Sequence, residues 1–211
     1  MKQVFLSVLA ILSLFGCQTT SERLQVQYQL KYQMLLENIK SQSPDADFLG
    51  LRMAYTDTIH YDPYGVVSQS VIEEAFARFD EKDYQGCVNQ ADKILSTAYI
   101  SMDGHYLAMV CHLELHNEER ANYHQYVLNG LFSSISSGGN GRTFESAYTT
   151  ISIGELKTFL GMLGLEVKEQ GLRFHKGKPY DVMTVMESEI EEEFDLYFDI
   201  SIQLEKGYGD L

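Results

Sequence analysis

Basic side chains are scarce in this chain: 16 Lys and Arg stand against 30 Asp and Glu, a formal net charge of −14 over 211 residues. Such a surface repels nucleic acid and anionic lipid headgroups, so nucleic acid is excluded as a partner. Cysteine is also scarce. There are three, none in a CxxC pair, and no His-rich spacing completes a zinc set, so redox catalysis has no support. The signatures of several enzyme classes are missing as well: there is no GxxxxGKS/T phosphate loop, no HExxH helix and no GxSxG elbow. The apolar stretch from Val4 to Phe15 is about a dozen residues long, short of the ~20 that a membrane helix needs.

What that stretch does have is its setting. Lys2 precedes it, Gly16 closes it, and Cys17 follows, with Gln18-Thr19-Thr20 directly after. A cationic start, a short apolar core and a small residue before the cut are the layout of a secretory signal. Leu14-Phe15-Gly16-Cys17 resembles the lipobox of bacterial lipoproteins, although Phe15 stands where lipoboxes usually carry Ala or Ser. The resemblance implies cleavage before Cys17, acylation of its thiol and of the new amino terminus, and attachment to a lipid bilayer through those chains. Gln18 after the Cys is similar to the signal that sends lipoproteins to the outer membrane.

Removing residues 1–16 leaves 195 residues and takes Lys2 from the charge, moving it from −14 to −15. The acidic excess gathers near Glu187-Ser188-Glu189-Ile190-Glu191-Glu192-Glu193, which reads as a solvated loop or hairpin tip, since the Gly turn of a calcium loop is absent. Cys87 and Cys111 remain after Cys17. An exported chain can oxidise them, yet two small core residues fit helical surroundings equally, and pairing is not decided without geometry.

The organisation changes once along the mature chain. From Ser21 to about Ser134 the apolar positions recur at helical spacing, and after Gly141 they alternate or run in short β-branched blocks. The pattern predicts an α+β fold in one composite domain: residues 17–135 helical, residues 136–211 a small, mostly antiparallel sheet with one helix packed on the helices. Leu24, Tyr28, Leu35, Leu36 and Ile39 form the apolar stripe of a first helix. Ser43 reads as the N-cap of a second, with Pro44 at its first position and Phe48, Leu51, Arg52 and Tyr55 along it. Thr56 to Gly65 is a turn. Ser136 to Thr143 reads as a flexible glycine-rich turn before a strand over Ala147–Ile153. Glu155–Leu163 reads as a helix, and Glu166–Arg173, Tyr180–Met186 and Asp195–Ile202 as strands.

Between these lie two helix pairs. Ala75, Phe76 and Phe79, then Lys82-Asp83-Tyr84-Gln85-Gly86-Cys87-Val88, Ala91, Ile94 and Leu95 resemble one tetratricopeptide unit. Met102–His116 and Glu119–Phe132 make a second pair, with Ala108, Leu113, Ala121, Tyr123 and Val127 as packing positions. Two units need a cap from flanking structure to bury their faces. Tyr61-Asp62-Pro63-Tyr64-Gly65, Ser137-Gly138-Gly139-Asn140-Gly141, Ile151-Ser152-Ile153, Glu155, Gly164-Leu165, Gln170-Gly171-Leu172, Tyr180-Asp181-Val182 and Leu196-Tyr197-Phe198-Asp199-Ile200 are together similar to the family catalogued as domain of unknown function 4919. The resemblance implies a fold order and an export route. It implies no activity.

Chemistry-bearing side chains are few. His105, His112 and His116 fall on one helical face, and a pair four apart can grip a metal. A third ligand would come from elsewhere, such as His124 or Glu119, so the face reads as plain and polar. His60, Tyr61 and Tyr64 form the one ligand-contact candidate in a loop. Lipidation at Cys17 is the one site assigned; no residue is assigned as catalytic, cofactor-binding or metal-ligating, and no cofactor is implied. Two readings follow. The first is an anchored envelope lipoprotein that acts as a non-catalytic interaction module for another envelope protein. The alternative is a periplasmic, hydrolase-like enzyme with its site where the helical and sheet halves meet.

Overall fold

The structure, a computed structural model, describes residues 20–65, 67–187 and 192–207. Cys17 and the expected signal at 1–16 lie outside the described residues, as do 188–191 of the acidic run. Among the described residues, eight helices, six of them N-terminal to the sheet, and a four-stranded mixed sheet give the α+β architecture.

Helix α1 (Thr20–Lys40) buries Tyr32, Leu36 and Ile39 at helical steps against the core. Leu24, expected in that stripe, is 43% exposed, because the N-terminal part of α1 extends past its packing partner. Helix α2 (Phe48–Tyr55) starts later than Ser43 and Pro44 suggest. The Asp47 carboxylate accepts from Gly50 N at 2.7 Å and so provides the cap. Ser43 is occupied in a local turn, its hydroxyl accepting from Asp45 N.

Two helical hairpins follow: α3 (Gln69–Asp80) with α4 (Tyr84–Thr97), and α5 (Met102–Glu114) with α6 (Glu118–Ser136). Asp83 turns the first, capping α4 through Gly86 N and pairing with Arg78. Asn117 turns the second by accepting from Arg120 N. Ala75, Ala91 and Ala108 are fully buried where α3, α4 and α5 meet. The same cluster holds a Cys87–Cys111 disulfide with Cα atoms 6.3 Å apart, which joins α4 to α5. Leu113, expected to pack, is instead exposed.

The sheet runs in the order β1-β4-β3-β2. Strand β1 (Tyr148–Thr149) pairs parallel with β4 (Glu192–Asp199), which pairs antiparallel with β3 (Lys178–Glu187), and that with β2 (Leu165–His175). Lys176 and Gly177, with φ of 51° and 80°, make the two-residue turn that joins β2 to β3. The expected strand over 147–153 shrinks to two residues because Thr150 is held by Gln203, whose amide reaches its carbonyl and its hydroxyl. Gln203 belongs to α8 (Ser201–Gly207), where the alternating Ile200 and Ile202 suggest a continuing strand. Asp199 ends β4 by accepting from Ser201 N at 2.9 Å. The glycine-rich segment is a pinned loop rather than a flexible one. Gly141, at φ +68°, donates to Ser146 O and accepts from Tyr197 N.

Helix α7 (Ile153–Met162) carries Phe159 into the main core, where its ring lies 4.9 Å from Tyr148 of β1 and 4.7 Å from Phe132 of α6. Phe198 of β4 completes the group, so sheet and helices share one apolar cluster. Burying each such aromatic contributes roughly 1.5–3 kcal/mol.

Candidate functional site

Two polar constructions stand out of this apolar frame. The first is Arg52, fully buried on α2. Its Nε donates to Glu155 Oε1 at 2.7 Å and its Nη2 to Oε2 at 2.8 Å, a two-pronged pair. The guanidinium also donates to Thr149 O at 2.7 Å and to Ser134 Oγ at 3.2 Å. Glu155 Oε2 accepts Ile151 N at 2.8 Å, and Ser152 caps α7 by accepting from Glu155 N. One ion pair thus ties α2, α6, β1 and α7 together. Sequence reasoning placed both residues without joining them. The signals were there: an Arg in an otherwise apolar helix needs a buried counter-charge, and Ser152-x-x-Glu155 is a capping-box pattern.

Beside Glu155 of that pair the two halves of the protein form a groove of about 220 Å³. Tyr61 and Tyr64 come from the loop after α2, Ile72 from α3, Asp103 from α5, and Ile153 and Lys157 from α7. The loop is fixed at both ends. Tyr61 Oη donates to Ile151 O at 2.6 Å, Ile153 N donates to Pro63 O at 3.1 Å, and Lys206 of α8 holds Thr56 and Asp57. Asp62 closes its own turn by accepting from Tyr64 N.

Burial pushes the Asp103 carboxyl above its ordinary range, and the Thr158 hydroxyl, donating at 2.8 Å, pulls partly the other way. Burial also raises the Tyr61 phenol, with the Glu155 carboxylate adding to it, and pushes Tyr55 up to about 12. These phenols are neutral hydrogen-bonding groups throughout the physiological range. No His or Cys is among the residues that line the groove. Ser101 and Ser152 spend their oxygens as helix caps. Ser68, also in the lining, has its hydroxyl 2.8 Å from that of Ser70. The arrangement can bind and orient a ligand.

The structure therefore brings Tyr61 and Tyr64 to one groove and leaves His60 out of it, exposed, with only its carbonyl engaged by Tyr55 Oη.

The second construction is a cluster of buried histidines between α5 and α6, which corrects the plain polar face expected there. His105, His112 and His124 are all buried. His105 Nε2 lies 2.8 Å from Tyr99 O, His105 Nδ1 lies 3.0 Å from His124 Nδ1, and Arg120 reaches His124 Nε2 at 3.4 Å. With both rings neutral, the bonds run one way: Arg120 donates to His124, His124 to His105, and His105 to Tyr99 O. The His112 ring stacks on His124, its centroid 5.8 Å away. Desolvation lowers the His105 pKa to about 4, and desolvation with the neighbouring His105 and Arg120 lowers that of His124 to about 3. His116 lies beyond the end of α5 at φ 56°, exposed, and Glu119 is exposed as well. Among the described residues no group of three His, Cys, Asp or Glu side chains has the geometry to hold a metal ion.

No curated protein and no solved structure matches the chain. A family model matches residues 25–208, which run from within α1 to the end of the described fold. By that match the chain belongs to the family described as Domain of unknown function (DUF4919).

Proposed function

We propose that this protein is an exported bacterial lipoprotein, acylated at Cys17 and held at the outer membrane, whose folded part binds another envelope protein without chemistry of its own. The observation that carries the binding reading is the groove between the halves. Much of its wall is aromatic and aliphatic, and among its polar groups Asp103, Glu155 and the Tyr61 hydroxyl are engaged in holding those walls together, while Asp62 closes its own turn. The Cys87–Cys111 disulfide supports export, because such bonds persist in oxidising compartments. The two successive hairpins, with Ala75, Ala91, Ala108 and Ala121 buried at their contacts, support a tetratricopeptide-like arrangement. α1, α2 and the sheet then serve as its cap.

The test is a photocrosslinking residue at Ile153, which lines the groove, and another at Phe174, on the far strand β2, in the full-length protein in its native envelope. A protein adduct of one defined mass at Ile153 and none at Phe174 supports the reading; equal adducts, or none at either, contradict it. One observation favours the hydrolase-like alternative: the raised carboxyl of Asp103 beside Thr158 is a candidate acid. Turnover of an ester or glycoside panel that is abolished by Asp103→Asn would establish that reading instead.

A further inference from the structure

Helix α1 has two apolar faces, and the fold uses one of them. At 100° per residue, Val26, Leu30 and Met34 share an arc of about 80°, roughly opposite the Tyr32, Leu36 and Ile39 that enter the core. These three side chains are 51%, 64% and 59% exposed, and residues 20–27 are exposed throughout. Among the described residues this stripe of three large apolar side chains on the outside of the helix has nothing packed over it.

The place of this helix in the chain says what covers the stripe. Thr20, where α1 begins, is three residues after Cys17, a separation of no more than about 11 Å even at full extension. With acyl chains on Cys17, the start of α1 is held within one headgroup layer of the bilayer. The local charge agrees. α1 carries Arg23, Lys31 and Lys40 against Glu22 and Glu37, a net of +1 in a chain of −14. Arg23 and Glu37 fall within the arc, at its start and at its far end, and Glu22, Lys31 and Lys40 border it, so the end nearest the anchor carries both signs. An exposed apolar stripe with charged side chains along its borders suits a helix that lies in the interface plane.

We infer that α1 lies along the membrane surface with Val26, Leu30 and Met34 inserted among the lipid headgroups, as a second contact beside the acylated cysteine. This rests on the anchoring reading above. The acyl chains on the thiol and amino terminus already make the anchoring stable, so the added apolar contact serves to fix which way the protein faces. The acidic surface elsewhere is repelled by anionic headgroups, so contact is confined to this helix.

The chain contains no tryptophan, so one introduced indole reports on its own site alone. Leu30→Trp and Met34→Trp place reporters on the stripe, and Phe174→Trp places one on the exposed far strand. Each full-length protein, purified from its native envelope, goes into phosphatidylethanolamine and phosphatidylglycerol vesicles with brominated acyl chains, and the mass of the Cys17 peptide is read on the same sample. Acylated Cys17 with blue-shifted, largely quenched emission from Leu30→Trp and Met34→Trp, and unshifted, unquenched emission from Phe174→Trp, is the expected result. Acylated Cys17 with red, unquenched emission at all three sites overturns the inference and leaves the anchor standing. Blue-shifted, unquenched emission in protein that sediments as a dimer overturns it in favour of a second copy on the stripe. Unmodified Cys17 removes the anchoring reading and this inference with it.

Discussion

The Arg52–Glu155 pair gives the sharpest stability prediction. Glu155→Gln preserves shape and removes the charge. Arg52 is fully buried, so its guanidinium loses its counter-charge with no water to replace it, and the new amide group faces the N–H donors of Arg52 or Ile151. Breaking one side of a buried pair costs about 3–5 kcal/mol. That is a large part of the 5–15 kcal/mol that stabilises a typical domain. With a urea dependence of about 2 kcal/mol per M for a protein of this size, the unfolding midpoint should fall by roughly 2 M. Arg52→Met with Glu155→Leu removes both charges together and should recover most of the loss, because a well-packed apolar replacement of a buried pair is often neutral. Urea titrations followed by far-UV circular dichroism measure all three proteins. A midpoint shift in Glu155→Gln below about 0.5 M, or a double variant weaker than the single one, refutes the assignment of this pair as the tie between helices and sheet.

The remaining predictions rest on other parts of the structure. The folded protein holds His105 and His124 neutral with pKa near 4 and 3, below the unfolded value of 6.5, so stability is full above about pH 6.5 and is lost as pH falls towards 4. By about pH 5, His105 alone should account for a loss of roughly 2 kcal/mol, and urea midpoints that fall from neutral pH to pH 5, with a shallower fall in His105→Gln, check this. Closing a loop of 24 residues' separation, the Cys87–Cys111 bond should contribute about 3 kcal/mol, read as a lower melting temperature for the Cys87→Ala, Cys111→Ala protein. Gly141→Ala should cost at least about 1–2 kcal/mol in chemical denaturation, because its φ is +68° and its Cβ would meet the Tyr148 ring at 2.4 Å.

The helices were legible because each buries one face, as Ile39, Leu51, Ala91 and Val127 do at the expected spacing. A turn between β2 and β3 was legible in Lys176-Gly177-Lys178-Pro179, but only Lys176 and Gly177 make it, because Lys178 and Pro179 already belong to β3. What escaped depends on distant partners. Arg52 and Glu155 are 103 residues apart, so no local pattern joins them. His105 and His112 share a face by spacing, but their burial depends on His124 arriving from α6. Helix α8 escaped for a different reason: Ile200 and Ile202 alternate as a strand does, and it takes the Asp199 cap to turn the chain at Ser201. The groove is assembled from three separate stretches, within 55–72, 98–103 and 151–158, so only its tyrosine loop could be noticed in advance.

The lipid anchor proposed at Cys17 underlies the reading of this fold. Its most direct test is the intact mass of the N-terminal peptide from protein recovered in the native membrane fraction, beside the Cys17→Ala variant. The expected chain begins at Cys17 and carries acyl groups on its thiol and amino terminus, with both lost in the variant. A wild-type chain that retains residues 1–16, or one with an unmodified Cys17, contradicts it.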